Sequence, residues 1–532
     1  MQRTTTVILL FLFFTLIPIF SQENPTPDVN LHIAVLQGNL DAVKQHIKAG
    51  TDLNEKDQFG STPLIIAVTF GKNEIAKELI EAGADLHISN NEKSTPLHIA
   101  AFFARPEIVK LLLDNGADKY LRNIAGSTAY DIVAAPFEID RKLYDQLSVA
   151  LSPLGFKIDY EEIKKLRPQI AKMLRSSDEE LKSVNYKPIE HDDWQLSTPE
   201  ELGLDPDLVA ELYNDASHME KLYGLLVIKD GYLIAENYFN NASIDQLSSR
   251  ASVTKSVTSA LLGIALEQGY IKNVDQKMID FFPEVTNKII DERKKSITIK
   301  EMLQMRAGYP WEETDSSYWN VLWTGKYIDK IVQLPLTLDP GTGFQYSNMT
   351  SNWLGIIIAR ATNTDLKNFS KKYLFSPMDI KIGNWKKDWD GNYIGAADLE
   401  FTARDMAKFG LLYLNNGNFE GKQIIPESWV NESLQKYSNN INSGGIESSR
   451  VARYFYNIGY GYQWWSAKAG NHSFNLAWGH GGQFIILLQD LNMIIVVTSD
   501  PFWGKEKHFD AWQYEKANMN LVGKFIKFLS NK

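Results

Sequence analysis

The sequence predicts a multidomain protein in which an all-α solenoid precedes an α/β domain. Three observations support this prediction. A 33-residue period runs through the first quarter of the chain, a long apolar helix follows it, and apolar runs joined by short turns lie on both sides of that helix. With 532 residues, the chain also exceeds what one hydrophobic core usually organises, so two or more domains are expected.

The composition is that of a globular protein, with 44% hydrophobic and 23% charged residues. A net charge of −10 is modest for this length and gives no basic surface, so nucleic acid is not an expected partner. Cysteine is absent, which excludes disulfides and a thiolate nucleophile. The nine histidines show no metal-ligand spacing, so we expect neither a catalytic metal nor another cofactor.

Residues 1–21 are predicted to form a secretory signal peptide. The apolar run from Val7 to Phe20 is shorter than the ~20 residues that span a bilayer, and a polar, proline-containing stretch follows it. An uncleaved anchor is the alternative. Cleavage near Ser21 would leave no stable membrane span, and export without cysteine predicts a periplasmic or secreted protein of a bacterial envelope.

A repeat occupies residues 28–135. Thr62, Thr95 and Thr128 lie 33 residues apart, the first two within Ser-Thr-Pro-Leu. Glycines keep the same interval at Gly50, Gly83 and Gly116. A 33-residue unit with T-P-L-H-x-A resembles the ankyrin repeat, a β-turn with two antiparallel helices. One unit cannot bury its own apolar face, and the three to four units here meet the minimum for a stable stack.

The role of the repeats stays open, because an ankyrin fold does not identify its partner. Either the concave face binds a protein partner, or the stack is a spacer or docking element for the next domain. His32 and His98 occupy equivalent motif positions and are interpreted as structural hydrogen-bonding residues. Residues 136–195 are charged, contain helical runs such as 159–175, and are predicted to be a helical linker.

Residues 251–269, ASVTKSVTSALLGIALEQG, predict a buried helix that begins with Ser252 and Lys255 on one face of its first turn. A lysine can take the proton of a serine when burial and nearby positive charge lower its pKa toward neutrality. The helix N-terminus also favours negative charge on the serine oxygen. The alternative is the polar first turn of an ordinary buried helix.

A second Ser-x-x-Lys sequence, Ser433 to Lys436, shows how readily this spacing arises by chance. It lies beside the polar tract NNINSGGIESSR, and no buried helix is predicted behind it. We therefore interpret it as a chance occurrence.

Two further motifs follow Ser252 in order. Tyr346 and Asn348 form a Tyr-x-Asn in a glycine-rich loop before an apolar helical run. A His-Gly-Gly-Gln sequence then leads into an apolar run predicted to pair with residues 493–498 as a hairpin; it consists of His480, Gly481, Gly482 and Gln483. Upstream, residues 224–238 predict another hairpin, around Lys229-Asp230-Gly231.

Ser-x-x-Lys on a helix, then Tyr-x-Asn, then His-x-Gly beside a strand resembles the class C β-lactamase-like serine hydrolases, a group that includes penicillin-binding proteins, esterases and 6-aminohexanoate-dimer hydrolases. The resemblance covers residues 196–532. It implies an antiparallel sheet flanked by helices, with a second helical lobe.

The resemblance also implies roles for individual residues. Ser252 would be the acylated nucleophile, and Lys255 would accept its proton or hold Tyr346 as a phenolate. Tyr346 would relay a proton to the leaving group and later activate water. Asn348 would orient the substrate or Lys255. The backbone N–H groups of Ser252 and Gln483 would form the oxyanion hole.

One position departs from the penicillin-recognising pattern. Those members carry Lys-Thr-Gly where this chain has His480-Gly481-Gly482, and a histidine is mostly neutral near pH 7. This favours ester or amide substrates without an obligatory carboxylate over β-lactams. The alternative for His480 is a structural histidine at a strand start.

An aromatic segment, residues 309–323, contains Trp311 and predicts either the lining of an apolar acyl pocket or packing beneath a long loop. Its carboxylates would favour cationic substrates; they are Glu312, Glu313 and Asp315.

Two functions remain from the sequence. The first is an exported serine hydrolase that acts on small-molecule or short-peptide esters or amides. The second is an inactive binding protein whose ankyrin repeats are the functional part. Intact Ser252, Lys255 and Tyr346 favour the first. An α/β-hydrolase is excluded because the chain has no Gly-x-Ser-x-Gly.

Overall fold

The structure is a computed structural model that describes residues 27–313, 316–439, 441, 451–501 and 508–530. The predicted signal peptide, residues 1–21, lies outside the described residues. Among the residues that are described, no helix is both long enough and apolar enough to pass through a bilayer.

The repeats form a stack of paired helices. They are α1 (Leu31–Gln37), α2 (Leu40–Lys48), α3 (Pro63–Thr69), α4 (Asn73–Glu81), α5 (Pro96–Phe102), α6 (Pro106–Asp114) and α7 (Ala129–Ala134). Threonines of the repeated motif cap α3, α5 and α7, and proline at the first position of α3 and α5 suits a site whose N–H has no acceptor within the helix.

The two motif histidines are hydrogen-bonded within the stack. His98 accepts from the Thr95 N–H at Nδ1, and its Nε2 bonds to the Ser127 carbonyl oxygen of the next unit at 3.0 Å. Burial lowers the pKa of His98 to about 4, so the ring is neutral. His32 makes the equivalent contact with the Glu55 carbonyl oxygen. These contacts match the structural role predicted for both residues.

The predicted linker is largely a cap on the solenoid. Its helices are α8 (Phe137–Leu151), α9 (Tyr160–Leu174) and α10 (Asp178–Lys182). Tyr144 of α8 and Ile170 of α9 are fully buried in the same core as the repeats. Arg167 donates to the carbonyl oxygens of Ile132 and Ala135 at the end of α7. The last repeat of a stack has no following repeat to cover its apolar face. Here α8 and α9 cover that face.

The C-terminal part contains eleven α-helices and eleven strands among the described residues. The helices are α11 (Pro206–Ser217), α12 (Val253–Glu267), α13 (Pro283–Thr286), α14 (Ile299–Leu303), α15 (Ser316–Trp323), α16 (Lys330–Gln333), α17 (Asn348–Thr362), α18 (Leu366–Ser370), α19 (Ala403–Leu414), α20 (Glu427–Leu434) and α21 (His508–Phe528). The strands are β1 (Leu222–Lys229), β2 (Tyr232–Tyr238), β3 (Ser248–Ser249), β4 (Glu400–Phe401), β5 (Asn418–Phe419), β6 (Lys422–Gln423), β7 (Tyr456–Tyr460), β8 (Trp465–Ala469), β9 (His472–Gly479), β10 (Gln483–Leu488) and β11 (Met493–Ser499).

Seven strands form one antiparallel sheet in the order β2-β1-β11-β10-β9-β8-β7. Both predicted hairpins are present, as β1–β2 and β10–β11. Successive residues of the central strands enter different cores: Ile485 packs on the α12, α17 and α19 side, and Ile486 on the α11 and α21 side. The predicted architecture, an ankyrin solenoid followed by an antiparallel sheet flanked by helices, is confirmed.

The repeat stack contacts the C-terminal domain, among other places, at the turn that precedes α7. Asn520 of α21 donates to the Gly126 carbonyl oxygen at 3.0 Å. Gly126 has φ +66°, and a Cβ there would lie 2.5 Å from the Ala517 backbone nitrogen. Arg453 also pairs with Asp140 of α8 at 2.6 Å. The contact fits the docking interpretation of the stack, while binding of a separate protein by its concave face stays a prediction.

Candidate active site

Ser252 stands at the N-cap of α12, immediately after a sharp bend. Ala251 has φ +45°, a left-handed conformation that is uncommon for a residue with a side chain. Every residue of α12 from Val253 to Ala265 is buried, as the apolar sequence predicts. Because Ser252 precedes the helix, the helix itself offers no acceptor for its backbone N–H.

Lys255 lies one turn into α12, and only 1% of the residue is exposed. Its Nζ bonds to three oxygens: Ser252 Oγ at 2.8 Å, Asn348 Oδ1 at 2.7 Å and the Ala396 carbonyl oxygen at 2.8 Å. The structure therefore brings together the serine, the lysine and the asparagine of the predicted site.

Burial lowers the pKa of Lys255 to about 8, against the opposing charges of Glu313, Glu312 and Asp398. From the sequence, nearby positive charge was expected to help lower the pKa of Lys255. This expectation is not met, because the charges that act on Lys255 are negative and raise its pKa. A neutral amine has two hydrogens and one lone pair. If the two hydrogens of the amine are donated to the oxygens of Asn348 and Ala396, its lone pair faces Ser252 Oγ.

Tyr346 lies directly before α17 and is 5% exposed. Its ring centroid is 4.9 Å from Lys255 Nζ, 5.8 Å from the Trp311 ring and 5.3 Å from the Trp465 ring. Tyr346 is distant from Ser252 and Lys255 in sequence, but its phenol ring lies beside this pair in the structure.

Glu312 holds the start of α17. It is fully buried, and its carboxylate accepts from the Ser347 hydroxyl at 2.6 Å and from the N–H groups of Asn348 and Met349. Burial raises the pKa of Glu312 to about 7, although these hydrogen bonds oppose the rise. Its oxygens are engaged inside the protein rather than presented to a substrate. No sequence pattern identified this role.

The other acidic residues of that loop differ. Glu313 accepts from Asn348 Nδ2 at 2.8 Å and so fixes the orientation of the amide whose oxygen faces Lys255. Asp315, for which a role was predicted, lies outside the described residues. The side chains of Trp319 and Trp323 in the same segment are likewise not described.

Gln463 is a structural residue that the sequence did not single out. Its Nε2 donates to the carbonyl oxygens of Met302 and Leu303, and its Oε1 accepts from Ser351 of α17. Its own carbonyl oxygen accepts from Ser256 of α12 at 2.8 Å. One buried glutamine thus links α12, which Ser252 caps, to α17, which begins two residues after Tyr346.

The His-Gly-Gly turn joins β9 to β10. His480 Nδ1 lies 2.8 Å from Glu515 Oε1, and Gly481 donates its N–H to the same oxygen at 2.8 Å. Gly481 and Gly482 have φ +78° and +88°, which favour glycine. The Gln483 side chain is buried, and its Oε1 accepts from Arg250 at 3.3 Å.

These elements surround one cavity. Its lining consists of Ser252, Trp311, Glu313, Tyr346, Trp465, Trp478, His480 and Glu515. Lys255 and Asn348 meet Ser252 through the hydrogen bonds above, and the turn of Gly481, Gly482 and Gln483 adjoins His480. Trp311 both lines the cavity and packs on Phe344. The site therefore combines a hydroxyl, an amine and a phenol with an aromatic and acidic wall.

No set of three or more His, Asp or Glu side chains within the described ranges is arranged to hold a metal ion.

Comparison with known families gives two matches. The beta-lactamase family matches residues 218–518, which is more than half of the chain. Ankyrin repeats (3 copies) match residues 31–123. The predicted resemblances to both families are confirmed.

Individual relatives are distant. Beta-lactamase-like protein 2 of Dictyostelium discoideum is 23% identical over 259 residues, which cover 43% of this chain and 46% of that protein. The chain thus spans less than half of that relative. The 6-aminohexanoate-dimer hydrolase of Paenarthrobacter ureafaciens is 25% identical over 294 residues, covering 52% of this chain and 71% of that enzyme. A solved penicillin-binding protein homologue from Pyrococcus abyssi has a TM-score of 0.43 and 15% identity, over 59% of this chain and 76% of that chain.

Proposed function

Because the chain belongs to the beta-lactamase family and carries ankyrin repeats, we propose that it is a serine hydrolase that forms an acyl-enzyme on Ser252. The observation that carries the proposal is the 2.8 Å contact between Ser252 Oγ and the buried amine of Lys255. A serine hydroxyl is a weak nucleophile until a base removes its proton. A lysine with a pKa near 8 is partly neutral at physiological pH and can act as that base.

In the acylation step, Lys255 takes the hydroxyl proton as Ser252 Oγ attacks the carbonyl carbon of the substrate. The oxygen of that carbonyl gains negative charge, and the backbone N–H groups of Ser252 and Gln483 stabilise it. Tyr346 passes a proton to the departing alcohol or amine. Water then attacks the acyl-enzyme and Tyr346 removes its proton. As the acid is released, Lys255 returns its proton to Ser252 Oγ, so both residues regain their starting forms.

The substrate class is an ester or amide of a small molecule or short peptide. Among the cavity-lining residues that the structure describes, none is a lysine or arginine, so a substrate carboxylate has no fixed cation there. Aromatic rings supply an apolar surface for an acyl group. A relative named for amide-dimer hydrolysis is consistent with this class.

The alternative function is an inactive binding protein that uses its ankyrin repeats. The contacts within the site favour catalysis, because they place the Lys255 amine 2.8 Å from the Ser252 hydroxyl at the cavity wall. We also propose that the protein is exported, on the strength of the apolar segment at residues 7–20.

A fluorophosphonate probe tests the proposal. The wild-type protein is expected to label, Ser252→Ala to lose labelling, and Ser433→Ala to label at the wild-type rate. In the same samples, p-nitrophenyl esters of short acids should turn over faster than a chromogenic cephalosporin. An unlabelled wild type would favour the binding function, whereas faster cephalosporin hydrolysis would contradict the proposed substrate class.

A further inference from the structure

A carboxylate of the C-terminal helix holds the turn beside the proposed nucleophile. Glu515 of α21 accepts three hydrogen bonds: from the Trp478 indole at 3.3 Å, from His480 Nδ1 and from the Gly481 N–H, the last two at 2.8 Å. Only 4% of its side chain is exposed. Three of four consecutive residues thus share one buried acceptor.

We propose that Glu515 is a positioning residue for the hydrolysis, a role that rests on the proposed function. The donors it orients lie at the end of β9 and in the turn that leads to Gln483, whose N–H is the proposed second oxyanion donor. A carboxylate only accepts hydrogen bonds, so the hydrogen of His480 in this contact is on Nδ1. Glu515 thereby fixes both the ring orientation of His480 and the backbone of Gly481.

The turn is held from the same helix at a second point. Asn518 lies three residues after Glu515, on the same face of α21, and donates to the Gly482 carbonyl oxygen at 3.2 Å. A Cβ at Gly482 would lie 2.1 Å from Asn518 Nδ2, so the helix and the turn are in close contact. Ser499 of β11 also donates to the Gly481 carbonyl oxygen. Gly481 is therefore held from both α21 and β11, and Gly482 is held from α21.

The repeat stack also contacts this helix. Ala517 lies against Gly126, and Asn520 donates to the Gly126 carbonyl oxygen. These contacts add to the packing of α21 on the sheet and to its ion pairs with α11, which together set the distance of Glu515 from the turn. Displacing catalytic groups by about 1 Å can cost on the order of a hundredfold in rate.

Glu515→Gln tests the proposal in the full-length protein. The amide keeps the volume but loses the negative charge and one of the two acceptor oxygens. Its NH2 group then faces a donor, either the Trp478 indole or the pair formed by His480 and Gly481. We expect kcat for a p-nitrophenyl ester to fall roughly 10- to 100-fold with KM within about twofold, because the loss concerns transition-state stabilisation. The inhibition constant of a boronic acid should rise in parallel, whereas that of the product acid should not.

Gln513→Ala is the matched control. Gln513 lies on the same helix and accepts from Lys93 of the repeats at 2.9 Å, so its loss should leave kcat unchanged. If Glu515→Gln fails to fold, Glu515→Asp keeps the charge but withdraws it by one methylene, and the same fall in kcat is expected.

The outcomes separate the two proposals. A folded Glu515→Asp with wild-type kcat overturns the positioning role alone, because its shortened side chain withdraws both oxygens from the turn. A fall in kcat matched by an equal rise in KM and in the product-acid constant also overturns it, because that pattern indicates a general loss of binding. A wild-type protein without esterase activity and without labelling overturns the proposed function as well.

Discussion

Ser252 and Lys255 stand one helical turn apart, whereas Ser433 and Lys436 are separated by the end of a helix. At the first copy the chain is helical from Val253 onward, so the two side chains share a face and meet at 2.8 Å. At the second copy α20 ends at Leu434, and Gln435 is extended with ψ 149°. The same four-residue spacing therefore gives adjacency only where the backbone is helical throughout.

Because α20 ends between them, Ser433 and Lys436 bond to different parts of the protein. Ser433 donates to the Trp429 carbonyl oxygen of its own helix at 2.7 Å, and Lys436 donates to the carbonyl and side-chain oxygens of Asn457. The sequence predicted no buried helix behind this copy. The helix that carries Ser433, α20, ends before Lys436 and is exposed along one face, although Ser433 itself is fully buried in its last turn. Burial of the serine alone is thus insufficient for a reacting pair.

The largest expected difference between the copies concerns their lysines. Lys255→Met should lower kcat/KM for a p-nitrophenyl ester by about 10²- to 10⁴-fold, the range attributed to general-base catalysis, because no amine remains to take the serine proton. Lys436→Met should stay within about twofold of wild type. Circular dichroism of both variants verifies folding. If a folded Lys255→Met retains a tenth or more of the activity, Lys255 is not the base.

A change of pH is expected to alter kcat/KM by a smaller factor than the loss of Lys255. Lys255 accepts a proton only when neutral, and its pKa lies at about 8. The value of kcat/KM should therefore rise about tenfold per pH unit below 8 and level off above it. Lys436→Met should leave this profile unchanged. A profile that is flat from pH 6 to 9, or one that still rises at pH 10, would contradict the assignment of Lys255.

Local patterns explain what the sequence could predict. The repeat, the buried helix α12 and both hairpins follow from periodicity and turn residues within a few tens of positions. The three motifs could be placed in one site only through their resemblance to a family, since Ser252, Tyr346 and His480 lie far apart in sequence.

The supporting residues could not be predicted, because each acts through contacts that no local pattern encodes. Glu312 caps a helix that starts 36 residues later, as its bond to the Asn348 N–H shows. Glu515 reaches back 34 residues to Gly481. The cap formed by α8 and α9 has the same origin: their helical patterns were visible, but the apolar face they cover belongs to the last repeat.

The finest distinction between the copies is the charge around the first lysine. Glu313 is the foremost of the carboxylates that oppose the lowering of the Lys255 pKa by burial. Glu313→Gln removes that charge while its amide oxygen can still accept from Asn348. The pH midpoint of kcat/KM should therefore move down, by less than about one unit. Glu292→Gln, which removes an exposed carboxylate paired with Lys295, is the control and should not move it. An upward shift in Glu313→Gln would show that the negative charge does not stabilise the ammonium form of Lys255.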